Sequence, residues 1–359
     1  MDKNSANPRK VLWFLVIVLA VGVLTGMSYE ALATQRSRSR GTPGRLVEVG
    51  GYRLYIDCQG RGLPTVVIDS GLGDASDVWS ELHPKFAELT RICVYDRAGL
   101  GRSDNGPLPR SSEQIVKELH TLLTNAGESG PFLFVAHSMA GYDARIFAHQ
   151  FPNELAGLLL LDVSHPDQNA RESAAANKDR DDFMIRQAWY GRLAPFGITR
   201  LLGRCEFHPQ DCSRSFRTTL EEYDAFTNIS PAQVRATGNL GELPLIVIAH
   251  DTAAEIALEP SAQVRQDEAI DLQMQRELSE LSTRGCLLIA VGSRHYIQDS
   301  RPDLVLKSLE RLVQSSGSRS QSIVYATESA ESFQMNAPNS KAHLVHNVHE
   351  SPCIRLCDF

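Results

Sequence analysis

The first strong pattern in the chain is an uncharged apolar run at residues 11–27, preceded by Arg9 and Lys10. Its length sits at the short end of the roughly 17–25 residues that cross a bilayer. The run has no polar face, which argues against a helix of a soluble core. Two fates fit it. It is either an uncleaved signal anchor, or a signal peptide with Ala31-Leu-Ala33 as its small-x-small cleavage site. A signal-peptide core is usually about 7–15 residues, so the longer run favours the anchor. Either fate exports the rest of the chain. Gly22 and Gly26 form a Gly-xxx-Gly pair, a spacing that packs membrane helices closely. Basic residues flank both ends of the run, so orientation stays open.

Beyond a polar linker at residues 37–44, residues 46–57 alternate around Gly50-Gly51 and predict a β-hairpin. Short apolar runs then recur at residues 65–69, 91–95, 132–135, 155–161, 243–250 and 286–291, each the length of a buried strand. Helical patterns at residues 78–89, 112–126, 142–150, 261–282 and 302–313 separate them. Strands alternating with helices predict an α/β fold, a mostly parallel sheet covered on both faces. The rhythm breaks at residues 165–240. That stretch is polar, helix-prone and rich in aromatics such as Phe183, Trp189, Tyr190, Phe216, Tyr223 and Phe226, and it reads as a helical cap inserted between core strands. The organisation is thus an N-terminal segment at 1–40, a core at 45–164 and 241–314, the insert at 165–240, and a tail at 315–359. The tail lacks apolar periodicity and reads as disordered. It contains His343, His346, His349, Cys353 and Cys357, for which a solvated tail outweighs a metal site.

Composition narrows the partners. The net charge is −7, and residues 1–40 are basic (Lys3, Arg9, Lys10, Arg36, Arg38 and Arg40 against Asp2 and Glu30), so the body is more acidic than the whole. Phosphate binding needs a basic surface, so nucleic acid is excluded as the body's partner. Of seven cysteines, Cys58, Cys93 and Cys286 lie in strand-like runs and read as small buried hydrophobes. Cys205 and Cys212 flank a polar loop and can close a disulfide in an exported domain.

The chemistry centres on Ala136-His-Ser-Met-Ala140, which follows the 132–135 strand and precedes the 142–150 helix. Small-x-Ser-x-small at a strand-to-helix turn is a nucleophile elbow, whose strain lifts the serine above the sheet. A serine hydroxyl is a weak nucleophile and needs a base, a group to orient that base, and donors for the oxyanion. Strand carboxyl ends are where such groups gather. Ser138, Asp162, Asp251 and His295 all follow strands, in the order serine, acid, histidine.

In this arrangement, residues 46–314 resemble the α/β-hydrolase superfamily. Ser70-Gly-Leu-Gly73 followed by Trp79 resembles its oxyanion turn. Asp96-Arg-Ala-Gly-Leu-Gly-Arg-Ser-Asp104 resembles its Asp-Arg-x-Gly-x-Gly-x-Ser loop, and residues 292–298 resemble the segment around its histidine. The resemblance implies an α/β-hydrolase fold with Ser138 as nucleophile, His295 as base, and the N–H groups of Leu72 and Met139 as oxyanion hole. It implies that His137 packs beneath the elbow, and chain order disfavours His165 and His250 as bases. The acid is either Asp162 or Asp251, with Asp162 preferred and Asp167 a distant third. Four positions depart from the pattern. Ala136 and Ala140 replace glycines, the latter crowding the turn or narrowing the oxyanion hole, and Ser70 and Arg294 replace histidine and glycine. The implied function is a carboxylesterase- or lipase-like serine hydrolase, with no cofactor or metal. Its substrate is a small acyl compound with a hydrophobic group, and the N-terminal segment holds it to a membrane or, if cleaved, releases it. The rival reading is a non-catalytic, membrane-tethered binding protein of the same fold.

Overall fold

The computed structural model describes residues 7–39, 43–205 and 210–317. The tail expected from 315 is corrected at its start, because the last helix runs on through Gly317; the rest of it, with its His/Cys group, lies outside the described residues. Eight strands form one sheet: β1 (Arg45–Glu48), β2 (Arg53–Gln59), β3 (Thr65–Asp69), β4 (Ile92–Tyr95), β5 (Phe132–His137), β6 (Leu155–Leu161), β7 (Leu245–Ala249) and β8 (Gly285–Ile289). Their spatial order is β1-β2-β4-β3-β5-β6-β7-β8. The β1–β2 and β2–β4 pairs are antiparallel, and every pair from β4–β3 to β7–β8 is parallel. This is the expected α/β-hydrolase fold.

The helices are α1 (Pro8–Ser39), α2 (His83–Leu89), α3 (Ser112–Ala126), α4 (Ala140–Gln150), α5 (Gln168–Arg171), α6 (Ala174–Leu193), α7 (Ile198–Leu201), α8 (Cys212–Asn228), α9 (Ser230–Arg235), α10 (Thr252–Leu258), α11 (Ala262–Ser279), α12 (Ile297–Ser300) and α13 (Pro302–Gly317). Central strands are apolar at successive positions because both faces are covered. Val67, Phe134, Leu158, Leu160 and Val247 pack with α3 and α4. Their neighbours Val66, Ile68, Val135, Leu159 and Ile248 pack with α2 and α13 on the other face. Boundaries shift where proline intervenes. The helix expected at 78–89 is a 3-10 turn at Ser76–Trp79 followed by α2, whose first turn contains Pro84. Pro244 lacks an N–H for the ladder, and β7 begins after it.

The cysteine reading needs correction. Cys58 and Cys93 are direct partners in the β2–β4 register and form a disulfide, with Cα atoms 4.0 Å apart. Cys286 is disulfide-bonded as well. Burial in a strand cannot distinguish a lone thiol from one facing another across an antiparallel pair. Cys205 and Cys212 also form a disulfide.

The N-terminal helix α1 has 32 residues and extends past the apolar run. Residues 9–37 are long and apolar enough to cross a membrane. Its later half touches the insert between β6 and β7. A Cβ on Gly26 would collide with the carbonyl oxygen of Phe196. Four residues on, Glu30 receives two hydrogen bonds from Arg200, both 2.8 Å.

A buried guanidinium ties the core to that insert. Arg97, after β4, donates to Asp69 at 3.0 Å, to the carbonyls of Ser70 and Gly71 at 2.6 Å each, and to Glu222 of α8 at 2.7 and 3.0 Å. Glu222 also accepts from the Gly73 N–H at 3.0 Å. A buried charge that loses its partner is strongly destabilising. Replacing Glu222 with alanine should therefore cost about 3–5 kcal/mol in urea unfolding; a loss below 1 kcal/mol would mean that Arg97 stays neutralised without it.

Candidate active site

Ser138 occupies the turn between β5 and α4 with φ 56°, a backbone conformation that non-glycine residues rarely adopt. The turn's hydrogen bonds hold it there. The Ser138 N–H donates to Leu161, and its carbonyl accepts from Gly141 and Ser164. Ala136 and Ala140 are fully buried on either side of it. The position that admits no side chain is the next one. A Cβ on Gly141 would lie 2.5 Å from the Val163 Cβ. A further close approach thus lies next to Ala140, where the sequence has glycine.

His295 lies in the loop between β8 and α12. Its Nε2 is 3.0 Å from the Ser138 Oγ, and its Nδ1 is 2.7 Å from Asp162 Oδ2. Asp162 directly follows β6, also with a positive φ, 46°. Its second oxygen, Oδ1, accepts from the backbone N–H of His250 at 3.1 Å and from the His250 Nδ1 at 2.8 Å. His250 ends β7, and its Nε2 is 2.8 Å from Glu268 on α11. One chain of contacts therefore runs Glu268–His250–Asp162–His295–Ser138. Asp251 has other work. It caps α10 through the Ala253 N–H at 3.0 Å and accepts from Gly292 N–H at 2.8 Å. Asp167 pairs with Arg235. His165 accepts from the Asp167 N–H.

The electrostatics follow from this geometry. Burial alone would raise Asp162, but the hydrogen bonds and charges of His250 and His295 hold it well below the usual carboxylate range. Burial alone would lower His295, but Asp162 raises it above the ordinary histidine value, while the charge of His250 opposes that rise. His250 is also drawn down by burial, yet the hydrogen bonds to Asp162 and Glu268 push it up to about 11. It is an imidazolium with a carboxylate at each ring nitrogen. Asp271 lies 3.8 Å from its Nδ1, and burial with the charge of Asp162 pushes that carboxyl up to about 7. Ligand atoms of Asp162, His250 and Asp271 lie within 4.8 Å of one another. Both nitrogens of His250 already face carboxylates at hydrogen-bond distance, so the group fits shared protons better than a metal bond of about 2.0–2.2 Å.

His137 is buried, donates from Nε2 to the His295 carbonyl at 3.0 Å, and is lowered to about 3 by burial and the charge of His295. It stays neutral and supports the His295 loop. Ser70 accepts from Trp79 Nε1 at 3.1 Å. Among the described residues, the backbone N–H groups of Leu72 and Met139 have no acceptor within the chain. Both residues line the cavity at Ser138.

That cavity is about 400 Å³ and is lined by Glu172, Asp267, Glu268 and Asp271 besides Ser138 and His295. A neighbouring recess of about 480 Å³ shares Ser138 and His295 and is lined by Phe183, Met184, Tyr223 and Tyr296. Helices α6 and α8 wall both. The sequence reading missed the contacts of His250 and Glu268. The only signal available was a histidine directly after a core strand, and nothing in α11 marked Glu268. The elbow's close packing can be tested directly. Gly141→Ala should cost about 1–3 kcal/mol in urea unfolding through overpacking against Val163, and an unchanged midpoint would show that the turn has room.

A sequence profile of the alpha/beta hydrolase family matches residues 66–308. The chain is 25% identical over 210 residues to the uncharacterized protein YbdG of Bacillus subtilis, a match covering 58% of this chain and 62% of YbdG. It spans less than two thirds of the first curated relatives that it matches, 62%, 43% and 39% of their lengths. A haloalkane dehalogenase loop variant from Bradyrhizobium elkanii aligns with a TM-score of 0.60 at 16% identity, covering 77% of this chain and 98% of that one. A thermophilic esterase from Thermogutta terrifontis aligns at 0.54 and 18% identity, covering 77% and 99%. At such identities the likeness is one of fold. The family profile spans more than half of the sequence, across the parallel strands, the elbow and the His295 loop, and the chain belongs to the alpha/beta hydrolase family.

Proposed function

We propose that the protein is a membrane-associated serine hydrolase that cleaves an ester or related acyl bond. The observation that carries this reading is the contact of Ser138 Oγ with His295 Nε2 at 3.0 Å, with Asp162 at 2.7 Å behind the same ring. In this mechanism His295 removes the Ser138 proton as the oxygen attacks the substrate carbonyl, and the N–H groups of Leu72 and Met139 receive the oxyanion. The imidazolium then protonates the leaving alcohol. Water, activated by the same base, hydrolyses the acyl-enzyme and frees the acid. Asp162 fixes the ring and stabilises its charged form. A serine at this position disfavours the carboxylate nucleophile of dehalogenase chemistry. The aromatic recess supports a hydrophobic acyl or alcohol group, and α1 with the disulfides supports export to an oxidising side of a membrane. The rival reading, a non-catalytic binding protein, draws its support from Ala136 and Ala140 at the elbow, and the probe experiment below separates the two.

A fluorophosphonate probe tests the nucleophile. It should label the full chain at Ser138 and fail to label Ser138→Ala; folded protein that takes no label would refute the reading. With a soluble aryl ester, Asp162→Asn should lower kcat by about 10⁴-fold, the size of effect seen when the acid of a triad is neutralised. Asp251→Asn should leave that chemistry in place and act on stability. If only Asp251→Asn abolished turnover, the acid would be misassigned.

His250 is a positioning residue in this scheme, acting through Asp162. A general base must be neutral, so kcat/KM falls as pH drops through the raised pKa of His295. Groups facing the two rings include Asp162, Glu268 and Asp271 on the His250 side, and Asp74 and His137 near His295. Removing the His250 cation leaves Asp162 a stronger partner for His295. The acid limb of the pH profile should therefore move to higher pH in His250→Gln. A lower rate with an unmoved limb would reduce His250 to a packing role.

A further inference from the structure

The insert meets α1 at one defined level. The uncharged run ends at Met27, and the close backbone contact with Phe196 is at Gly26, one residue or about 1.5 Å of rise away. The Glu30–Arg200 ion pair, buried on the glutamate side, locks that junction a turn further on. If α1 spans a bilayer, the segment 196–202 stands at its surface.

That segment is apolar and open to solvent. Leu201 is 71% exposed and Leu202 59%, and Ile198 is exposed beside them. Helix α6 packs on the same segment and presents Ile185 and Trp189, one turn apart, with Trp189 56% exposed. Large apolar side chains clustered on a surface mark an interaction site rather than a solvated face. Arginines rim them. Arg192 lies over the Trp189 ring at 5.0 Å, Arg186 over Phe183 at 5.8 Å and Arg204 over Tyr190 at 5.7 Å. Tryptophan and arginine with apolar stems are the residues that settle at a headgroup boundary. The acidic residues of α6, Asp179, Asp181 and Asp182, all precede Ile185; Asp182 pairs with Lys178 and Asp181 accepts from Tyr223.

We propose that this face of the insert, formed by Ile185, Trp189, Ile198, Leu201 and Leu202, rests on the lipid bilayer that α1 crosses, so that the hydrolase draws a lipophilic ester from that bilayer. The proposal rests on the reading of α1 as a membrane anchor. The path to the site is short. Phe183 is exposed on the same helix and, with Met184, lines the recess that contains Ser138. Helix α6 thus has lipid on one side and the serine's recess on the other.

The chain has three tryptophans: Trp13 in α1, Trp79 buried in the core, and Trp189. The test uses the full chain with Trp13→Phe in phosphatidylcholine vesicles carrying brominated acyl chains. The protein should float with the vesicles, its emission should be quenched by the brominated lipid, and Trp189→Phe should remove that quenching. In the same vesicles, Leu201→Glu with Leu202→Glu should slow turnover of an embedded long-chain ester by roughly tenfold, the loss that ~1.4 kcal/mol of surface binding represents. Turnover of a soluble short-chain ester should be unchanged. Both leucines are exposed, so the variants keep the fold. A floating protein whose Trp189 is not quenched overturns the proposal, and if the face instead seals a stable oligomer in detergent, its occupant is a second copy. A protein that fails to float removes the anchor reading and this proposal together, while leaving the assignment of Ser138 intact.

Discussion

The site is held together by one cation that cannot reach water. Arg97 is 1% exposed, and a charge so placed must be neutralised and fully hydrogen-bonded, or it would not stay charged or buried. Its partners come from three parts of the chain: Asp69 at the end of β3, the carbonyls of the 70–71 turn, and Glu222 on α8. Satisfying it fixes the turn that carries Leu72, and it fixes α8 over that turn. The insert is therefore seated over Ser138 by an electrostatic requirement, independently of whatever apolar surface it covers.

The carboxylate of Asp162 imposes the second constraint. Two oxygens serve two histidines, one at the end of β7 and one beyond β8. A single acid between two rings cannot keep both cationic at equal strength. His250, held at its far nitrogen by Glu268, takes the standing charge, which in the proposed mechanism leaves His295 to gain and lose the working proton. The end of β7 thus contributes a cation and not an acid, which is why Asp251 is free to cap a helix.

The sheet was legible in the sequence because buried parallel strands need apolar residues at successive positions, a demand that residues 66–68, 132–135 and 158–161 meet plainly. The elbow was legible because few local structures call for small residues on both sides of an exposed serine. What escaped the reading depends on register and tertiary approach. Cys58 and Cys93 become a pair only when β2 is set antiparallel to β4. His250 and Glu268 meet only when α11 packs beside β7. The close approach at Gly141 is a matter of where Val163 lies. Proline boundaries at His83-Pro84 and Pro244 were written in the sequence, and they moved the element ends accordingly.

Ser138 and Asp162 share an unusual trait: both carry side chains on left-handed backbone, at φ 56° and 46°. Such conformations cost of order 1–3 kcal/mol each for residues other than glycine. Glycine would relax either position, and it would also delete the hydroxyl or the carboxylate. Under the proposed function, folding and chemistry pull in opposite directions at these two residues. The hydrogen bond from Ser138 to Leu161, those that the Ser138 carbonyl accepts from Gly141 and Ser164, and those from both histidines to Asp162, act as a clamp on a loaded spring. A chain released from any need to react would gain stability by discarding these two side chains first.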